Sequence, residues 1–405
     1  MRRVITIGLC IAALAALAGC ASILEGEKLT VTPHAETVTP IQQGNALEAS
    51  SYEELRGAFR ELILRHELKG SVNAYGYEGD VEADVRRACF ELAEQDPIGA
   101  YAVSEMNAAA TQIVSYYEIE VDIAYRRTRE QTDAIVTAST LRYLKSELLD
   151  MISGYREDAA ILTTLNITEA EVQTYIREAY YENPLRIVMM PITTVAMFPP
   201  NGQSRVIELT FGQRNAASVL RAYGEWLTQA TRDIAESVSG DNDGEILLAL
   251  CTRLTDLAEY DAASAELTEF SPQNLSATAY GALNGSATGE GYAMAYKALC
   301  DELDLECYVV LGTRGGVAHA WNIIACDGAY YHVDAALCDV NGIETAFLRS
   351  DADMETEYAW DRAQYKVCDG ELTYADFAET EETLGEGELE TDADTEEPPA
   401  EKPEA

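Results

Sequence analysis

The chain has 405 residues, with 70 acidic against 28 basic side chains and a formal net charge of −42. That surplus repels phosphate backbones and anionic headgroups, so nucleic acid is excluded as a partner, and so is adsorption to an anionic lipid surface. With 47% hydrophobic residues, the chain can still bury a sizeable core in two or three domains.

The first segment carries Arg2 and Arg3, an apolar run from Val4 to Leu17, and then Leu17-Ala18-Gly19-Cys20. The run is short for a membrane span, and small residues precede the cysteine. This layout resembles the lipobox of bacterial lipoproteins. The resemblance implies a signal peptide over 1–19, acylation of Cys20, and a membrane partner reached through that lipid on the extracytoplasmic face of the bacterial cell. Residues 20–50 are polar, threonine-rich and interrupted by proline, which predicts a flexible tether.

Region 51–240 predicts an α/β arrangement. Leu55, Phe59, Leu62 and Ile63 share one helical face, as do Val81, Val85, Ala88, Cys89 and Leu92. Cys89 is therefore expected in the core. Leu141, Leu144, Leu148 and Ile152 mark a third helix, and Thr168 to Glu171 offers a capping box for a fourth. Tyr117, Ile119, Val121 and Ile123 alternate as a strand does, and Val206 to Phe211 less cleanly. "IEVDIAYRR" and "IELTFGQRN" align without a gap, so two related units are an open reading of this region, beside chance similarity of two strands. His66 is placed on the polar side of the first helix, and His34 lies in the tether; neither suggests a ligand.

"SGDNDGEILLAL" places Asp241, Asp243 and Gly244 as a calcium loop would. Its first position is Ser239 and its twelfth Leu250, where acidic ligands are needed, so it reads as a turn between helices. Of nine cysteines, removal of Cys10 with the signal and acylation of Cys20 leave seven, an odd number. No C-x-x-C pair or zinc spacing occurs, so neither a metal nor any other cofactor is expected.

Region 241–377 carries the chemistry. Gly289, Glu290 and Gly291 open a helix whose apolar face is Tyr292, Tyr296, Leu299, Cys300 and Leu303. Gly289 thus sits at the positive end of a helix dipole, where a cysteine would be held as thiolate. "HAWNIIAC" and "AYYHVDA" are joined by Asp327-Gly328, the pair expected of a two-residue type I′ hairpin. In that register paired residue numbers sum to 655, and His319 and Asp334 become diagonal neighbours on one face. A one-residue change in the loop would separate them.

These segments, with "FLRSDADM" and "AWD", resemble the transglutaminase-like superfamily of cysteine transferases and peptidases. The resemblance implies an α+β fold overall: a C-terminal cysteine proteinase-like domain preceded by small α/β units. It also implies that His319 is the base, that Asp334 orients it, and that the nucleophilic cysteine belongs at Gly289. Family chemistry forms a thioester with a carboxamide or peptide carbonyl and passes the acyl group to an amine or water. Glycine cannot form that bond, and losing the nucleophile of a comparable triad costs on the order of 10⁶-fold in kcat.

The expected function is accordingly that of a catalytically inactive, lipid-anchored protein whose cleft binds peptide, protein or cell-wall material. The alternative is an amide or peptide hydrolase or acyltransferase working without a thiol through His319 and Asp334. Thr288 and Ser286 carry nearby hydroxyls, but Thr288 is rotated by about 100° from the residue facing the histidine. Cys338 reads as packing or an unpaired thiol, His332 as a structural or rim residue, and Trp321 and Trp360 as core, while the resemblance makes Tyr280 a candidate oxyanion group. Residues 378–405 form an acidic tail, of which 379–405 hold twelve acidic residues and one lysine, and this composition predicts disorder.

Overall fold

The computed structural model describes residues 46–265, 270 and 273–378. Cys20, His34 and the acidic tail from 379 onward lie outside the described residues.

The first unit runs β1 (Leu47–Ala49), α1 (Tyr52–Leu64), β2 (Lys69–Tyr75), α2 (Val81–Glu94), α3 (Pro97–Ala102), β3 (Val103–Ile113) and β4 (Tyr116–Tyr125). The predicted stripes are its core: Leu55, Phe59, Leu62 and Ile63 of α1 and Val81, Val85, Ala88, Cys89 and Leu92 of α2 are all buried. Ser51 and Asp80 cap these helices through their side chains. Two expectations change here. Residues 47–49, placed in the tether by composition, form β1 because their backbone pairs in parallel with β2. His66 lies past the end of α1 with φ 56° and stacks on Tyr125 at 3.8 Å between ring centroids.

The second unit runs α4 (Arg129–Asp133), β5 (Val136–Ala138), α5 (Leu141–Ser153), β6 (Asp158–Thr163), α6 (Glu169–Glu182), β7 (Ile192–Phe198), β8 (Arg205–Gly212) and α7 (Ala217–Ser237). Thr168 and Glu171 form the capping box of α6. The sheets of the two units have the same order, β1-β2-β4-β3 and β5-β6-β8-β7, with the first pair parallel and the others antiparallel. The rows Leu47–Val72–Ile119–Ala110 and Val136–Ile161–Ile207–Met197 occupy equivalent ladder positions. The two nine-residue segments that align in sequence begin at Ile119 and Ile207 of these rows.

The remaining chain forms α8 (Asp243–Leu257), β9 (Glu259–Tyr260), α9 (Ala279–Leu283), β10 (Ser286–Ala287), α10 (Gly289–Glu302), β11 (Cys307–Arg314), β12 (Val317–Cys326), β13 (Ala329–Val333), α11 (Ala335–Asn341), α12 (Asp351–Met354) and β14 (Tyr358–Trp360). Asn242 caps α8, so the aspartate-rich stretch is indeed a turn between helices. The antiparallel sheet β13-β12-β11-β14 packs on α10, which is buried on nearly every face. A helix apolar all round belongs in the middle of a core, whereas an amphipathic one lies at its edge. The whole is an α+β fold. One continuous core joins the second unit to this region through α7, α8 and α10, while the first unit keeps a core of its own. Among the described residues no helix is long and apolar enough to cross a membrane.

Candidate functional site

The site begins with the β12–β13 hairpin. Asp327 and Gly328 have φ of 48° and 79°, both positive as a type I′ turn requires, and the ladder pairs Cys326 with Ala329 through to Asn322 with Val333. This is the register in which residue numbers sum to 655. Asp334 leaves the ladder one residue later and caps α11, its Oδ1 accepting from the Leu337 N–H at 3.1 Å. Its Oδ2 meets His319 Nε2 at 2.7 Å and accepts from the Tyr358 hydroxyl at 2.6 Å.

Asp334 is fully buried. Burial alone would push its carboxyl up, but the His319 charge and hydrogen bond, the Tyr358 hydroxyl and the Leu337 N–H outweigh it and hold the group below its ordinary value. When the ring is neutral with its proton on Nε2, Nε2 donates to the ionised Asp334 and the Nδ1 lone pair is left for the other side of the ring. That side faces Gly289. A β-carbon built on Gly289 would lie 2.7 Å from His319 Nδ1 and 2.6 Å from Cε1. The structure thus brings Gly289, His319 and Asp334 together, and the imidazole fills the space where a side chain at 289 would begin.

Around them lies a cleft of about 150 Å³, lined by Tyr260, Asn274, Thr288, Glu290, Arg314 and His319 among others. β9 and β10 pair in parallel, carrying Tyr260 to one wall beside the start of α10. The backbone packs closely near the start of α10: a β-carbon on Gly291 would lie 2.1 Å from the Ser276 carbonyl oxygen, and one on Gly281 would lie 1.9 Å from that of Leu275. Only glycine fits at these two positions.

The Thr288 hydroxyl donates to the Ser276 carbonyl at 3.4 Å, and Ser286 is exposed on β10. Cys300 and Cys338 are buried in the core with their thiols pushed well up: burial leads for Cys300, and an interaction with Cys251 leads for Cys338. Neither is a nucleophile for the cleft. Tyr280 does not reach it: its ring stacks on Tyr223 at 4.1 Å and meets Trp226 edge-on at 5.1 Å, both on α7. Trp321 is buried as expected, whereas Trp360 is half-buried.

Two residues at the site come from outside the sequence motif. Tyr358 is one. Tyr181, on α6 of the second unit, is the other: its hydroxyl donates to Glu290 Oε1 at 2.6 Å, and both residues are buried. Burial and the Glu290 charge push the Tyr181 phenol far up, so it remains a donor. The only sequence signal for this contact was an acidic residue in the first turn of α10, whose following residues from Gly291 to Tyr296 are all apolar or glycine except for two tyrosine hydroxyls.

Among the described residues, His332, Asp351 and Cys368 bring atoms of metal-ligand type together. They do not suit a metal. Trp321 Nε1 donates to His332 Nδ1 at 3.0 Å, so His332 Nε2 carries the proton and donates it to Asp351 Oδ1 at 2.9 Å. A metal on Nε2 would need the proton on Nδ1, where it would oppose the Trp321 N–H. Burial, followed by the Asp351 charge, pushes the Cys368 thiol above its usual range.

No family profile and no curated protein matches the chain. Solved structures similar to it include a protein described as a TGase, at 14% identity and TM-score 0.25 over 49% of this chain and 58% of that one. Another is a proposed cysteine protease from Cytophaga hutchinsonii, at 13% identity and TM-score 0.24 over 40% of this chain and 59% of that one. A third is a proposed protease from Parabacteroides distasonis, at 10% identity and TM-score 0.21 over 68% of this chain and 41% of that one. The chain therefore spans less than two thirds of each, and none is similar enough for its chemistry to be transferred.

Proposed function

We propose that this is a transglutaminase-like protein, disarmed for acyl transfer at Gly289, that uses its cleft to bind peptide or cell-wall material while anchored outside the cell membrane through acylated Cys20. The observation that carries the reading is the contact between His319 and residue 289. A base oriented by Asp334 presents Nδ1 to the first residue of α10, and a β-carbon there would lie 2.7 Å away. This is the juxtaposition that a thiol nucleophile on a helix N-terminus requires, with no side chain to react.

A second reading is favoured by the lone pair on Nδ1. A neutral imidazole oriented by a carboxylate and facing a cleft is a general base, and it would activate water without a covalent step.

The test measures amide hydrolysis and amine incorporation across a peptide library for the native chain, His319→Ala and Gly289→Cys. No turnover by the native chain, with peptide binding retained, supports the binding reading. Turnover that His319→Ala abolishes and thiol reagents leave untouched overturns it in favour of the water-activating one. Activity gained by Gly289→Cys shows that the imidazole yields to the new side chain and that only the nucleophile was missing.

A further inference from the structure

The wall of the cleft beside His319 is set by a second tight hairpin. Gly315 and Gly316 have φ of 58° and 82°, and this two-residue turn joins β11 to β12 so that Arg314 pairs with Val317 and Gly312 with His319. Paired residues of an antiparallel ladder share a face, and every second residue along a strand returns to it. Arg314, Val317 and His319 therefore stand on one face of the sheet, and all three line the cleft. Arg314 is the diagonal neighbour of His319, with Cα atoms roughly 7–8 Å apart. On its other side Arg314 pairs with Tyr358 of β14, whose hydroxyl holds Asp334.

Among the described residues Arg314 is the one permanently positive side chain in that lining, within a chain of net charge −42. Part of its guanidinium is unused. Nε and Nη2 donate at 3.2 and 3.1 Å to a single oxygen, Oε2 of Glu357, and Nη1 has no hydrogen-bond partner among the described residues. The Glu357 pair and the Tyr358 ring, whose centre lies 5.7 Å from Arg314 Cζ, hold the group in place. The fork made by Nη1 and the second Nη2 hydrogen is the edge that takes a carboxylate with two parallel bonds. Glu357 does not saturate the charge: both side chains reach solvent, and an exposed pair of this kind contributes at most about 1 kcal/mol. The one acid in the lining, Glu290, belongs to α10 and is buried beside Tyr181, so a ligand carboxylate is repelled from that end and drawn toward β11.

We infer that Arg314 is a carboxylate-binding residue of the cleft, and that the ligand is a peptide presenting a carboxylate beside His319, either its free C-terminus or an Asp or Glu side chain. This rests on the binding function proposed for the cleft and adds the chemistry of what is bound. The fork makes the selection. A carboxamide in the same place offers one acceptor and brings two N–H groups against a side chain that can only donate.

The experiment measures equilibrium binding of the full chain to a library of short peptides, each made as the C-terminal acid and as the C-terminal amide, and with Asp and Glu exchanged for Asn and Gln. The native chain should bind the carboxylate form about 10-fold more tightly than its matched amide. Whether the difference follows the C-terminus or the side chain identifies the source of the carboxylate. Arg314→Gln, at a half-buried position, should bring the two forms within about 2-fold of each other. Arg362→Gln removes the same charge from outside the lining, where Arg362 pairs with Glu355, and should leave the preference intact. Equal affinity for the two forms, a preference that survives Arg314→Gln, or one that Arg362→Gln abolishes as well would overturn the inference while leaving peptide binding in place. Failure of the native chain to bind either form would overturn the binding function itself, and this inference with it.

Discussion

The Tyr358 hydroxyl donates to Asp334 Oδ2, the same oxygen that meets His319 Nε2. Asp334 is therefore held by three donors from three elements: β12 through His319, β14 through Tyr358, and the first turn of α11 through the Leu337 N–H. Removing the phenol leaves a buried carboxylate short of one charge-assisted hydrogen bond. Tyr358→Phe should destabilise the fold by about 1.5–3 kcal/mol at neutral pH in urea denaturation. The loss should shrink in acid. A carboxyl whose folded value lies below its unfolded one contributes stability that is present above the unfolded value and lost as pH falls through the folded value. A penalty that stays constant down to strong acid would show that Tyr358 acts by packing alone.

Gly289→Ala probes the same site from the other side. Its β-carbon would meet the imidazole at 2.6–2.7 Å, and the ring cannot swing freely because Asp334 holds its far nitrogen. Overpacking of this kind costs about 1–3 kcal/mol, offset by up to about 1 kcal/mol from replacing glycine in a helix. A net loss of roughly 1–2 kcal/mol is expected in the native background, and none in a His319→Ala background. Equal effects in both backgrounds would mean that the imidazole is not what residue 289 touches.

Much of this site was legible in the sequence because its parts are local. A two-residue turn with Asp-Gly sets a register up to Asn322 and Val333, and Asp334, the next residue, turns out of the ladder to cap α11 and meets His319. The apolar stripes of α1, α2 and α5 and the capping box of α6 are equally local, and they appear, save that Leu141 at the start of α5 is exposed and Met151 is buried in the stripe instead. Contacts made by distant segments were not legible: Tyr358 reaches Asp334 from 24 residues away and Tyr181 reaches Glu290 from 109. Tyr280, a candidate oxyanion group by resemblance only, meets α7 instead, a neighbour its own sequence position does not reveal. β3 gave no signal. Its alanines at 108 to 110 lack the branched side chains that mark strands, and its pairing with β4 decides it.

The Tyr181–Glu290 hydrogen bond should couple the second unit to the cleft, beside the shared core. Tyr181 and Glu290 are both buried, so Tyr181→Phe deprives a carboxylate of a donor, with an expected cost of about 1.5–3 kcal/mol. A double-mutant cycle with Glu290→Gln should give a coupling energy of about 0.5–3 kcal/mol. The same cycle read on peptide affinity tests whether the contact shapes the cleft, since Glu290 lines it. Additive effects on both stability and affinity would confine Tyr181 to packing within its own unit.

His332 gives the last prediction. Burial pushes its imidazole below its ordinary value against the pull of Asp351, so it folds as a neutral ring between Trp321 and Asp351. A histidine whose folded value is lowered contributes stability that is present above the unfolded value and lost as pH falls through that value toward the folded one, because the unfolded chain takes up the proton first. His332→Gln should flatten the fall in stability below about pH 6.5, the ordinary value for histidine. Because the Trp321 N–H fixes the proton on Nε2, neither zinc nor a chelator should move the melting midpoint of the native chain. Trp321→Phe removes that constraint and frees Nδ1 to carry the proton, leaving Nε2 available as a ligand. A midpoint raised by zinc only in Trp321→Phe would show that the indole excludes metal from His332, Asp351 and Cys368, whereas a rise in the native chain would show that His332 Nε2 does not hold the proton.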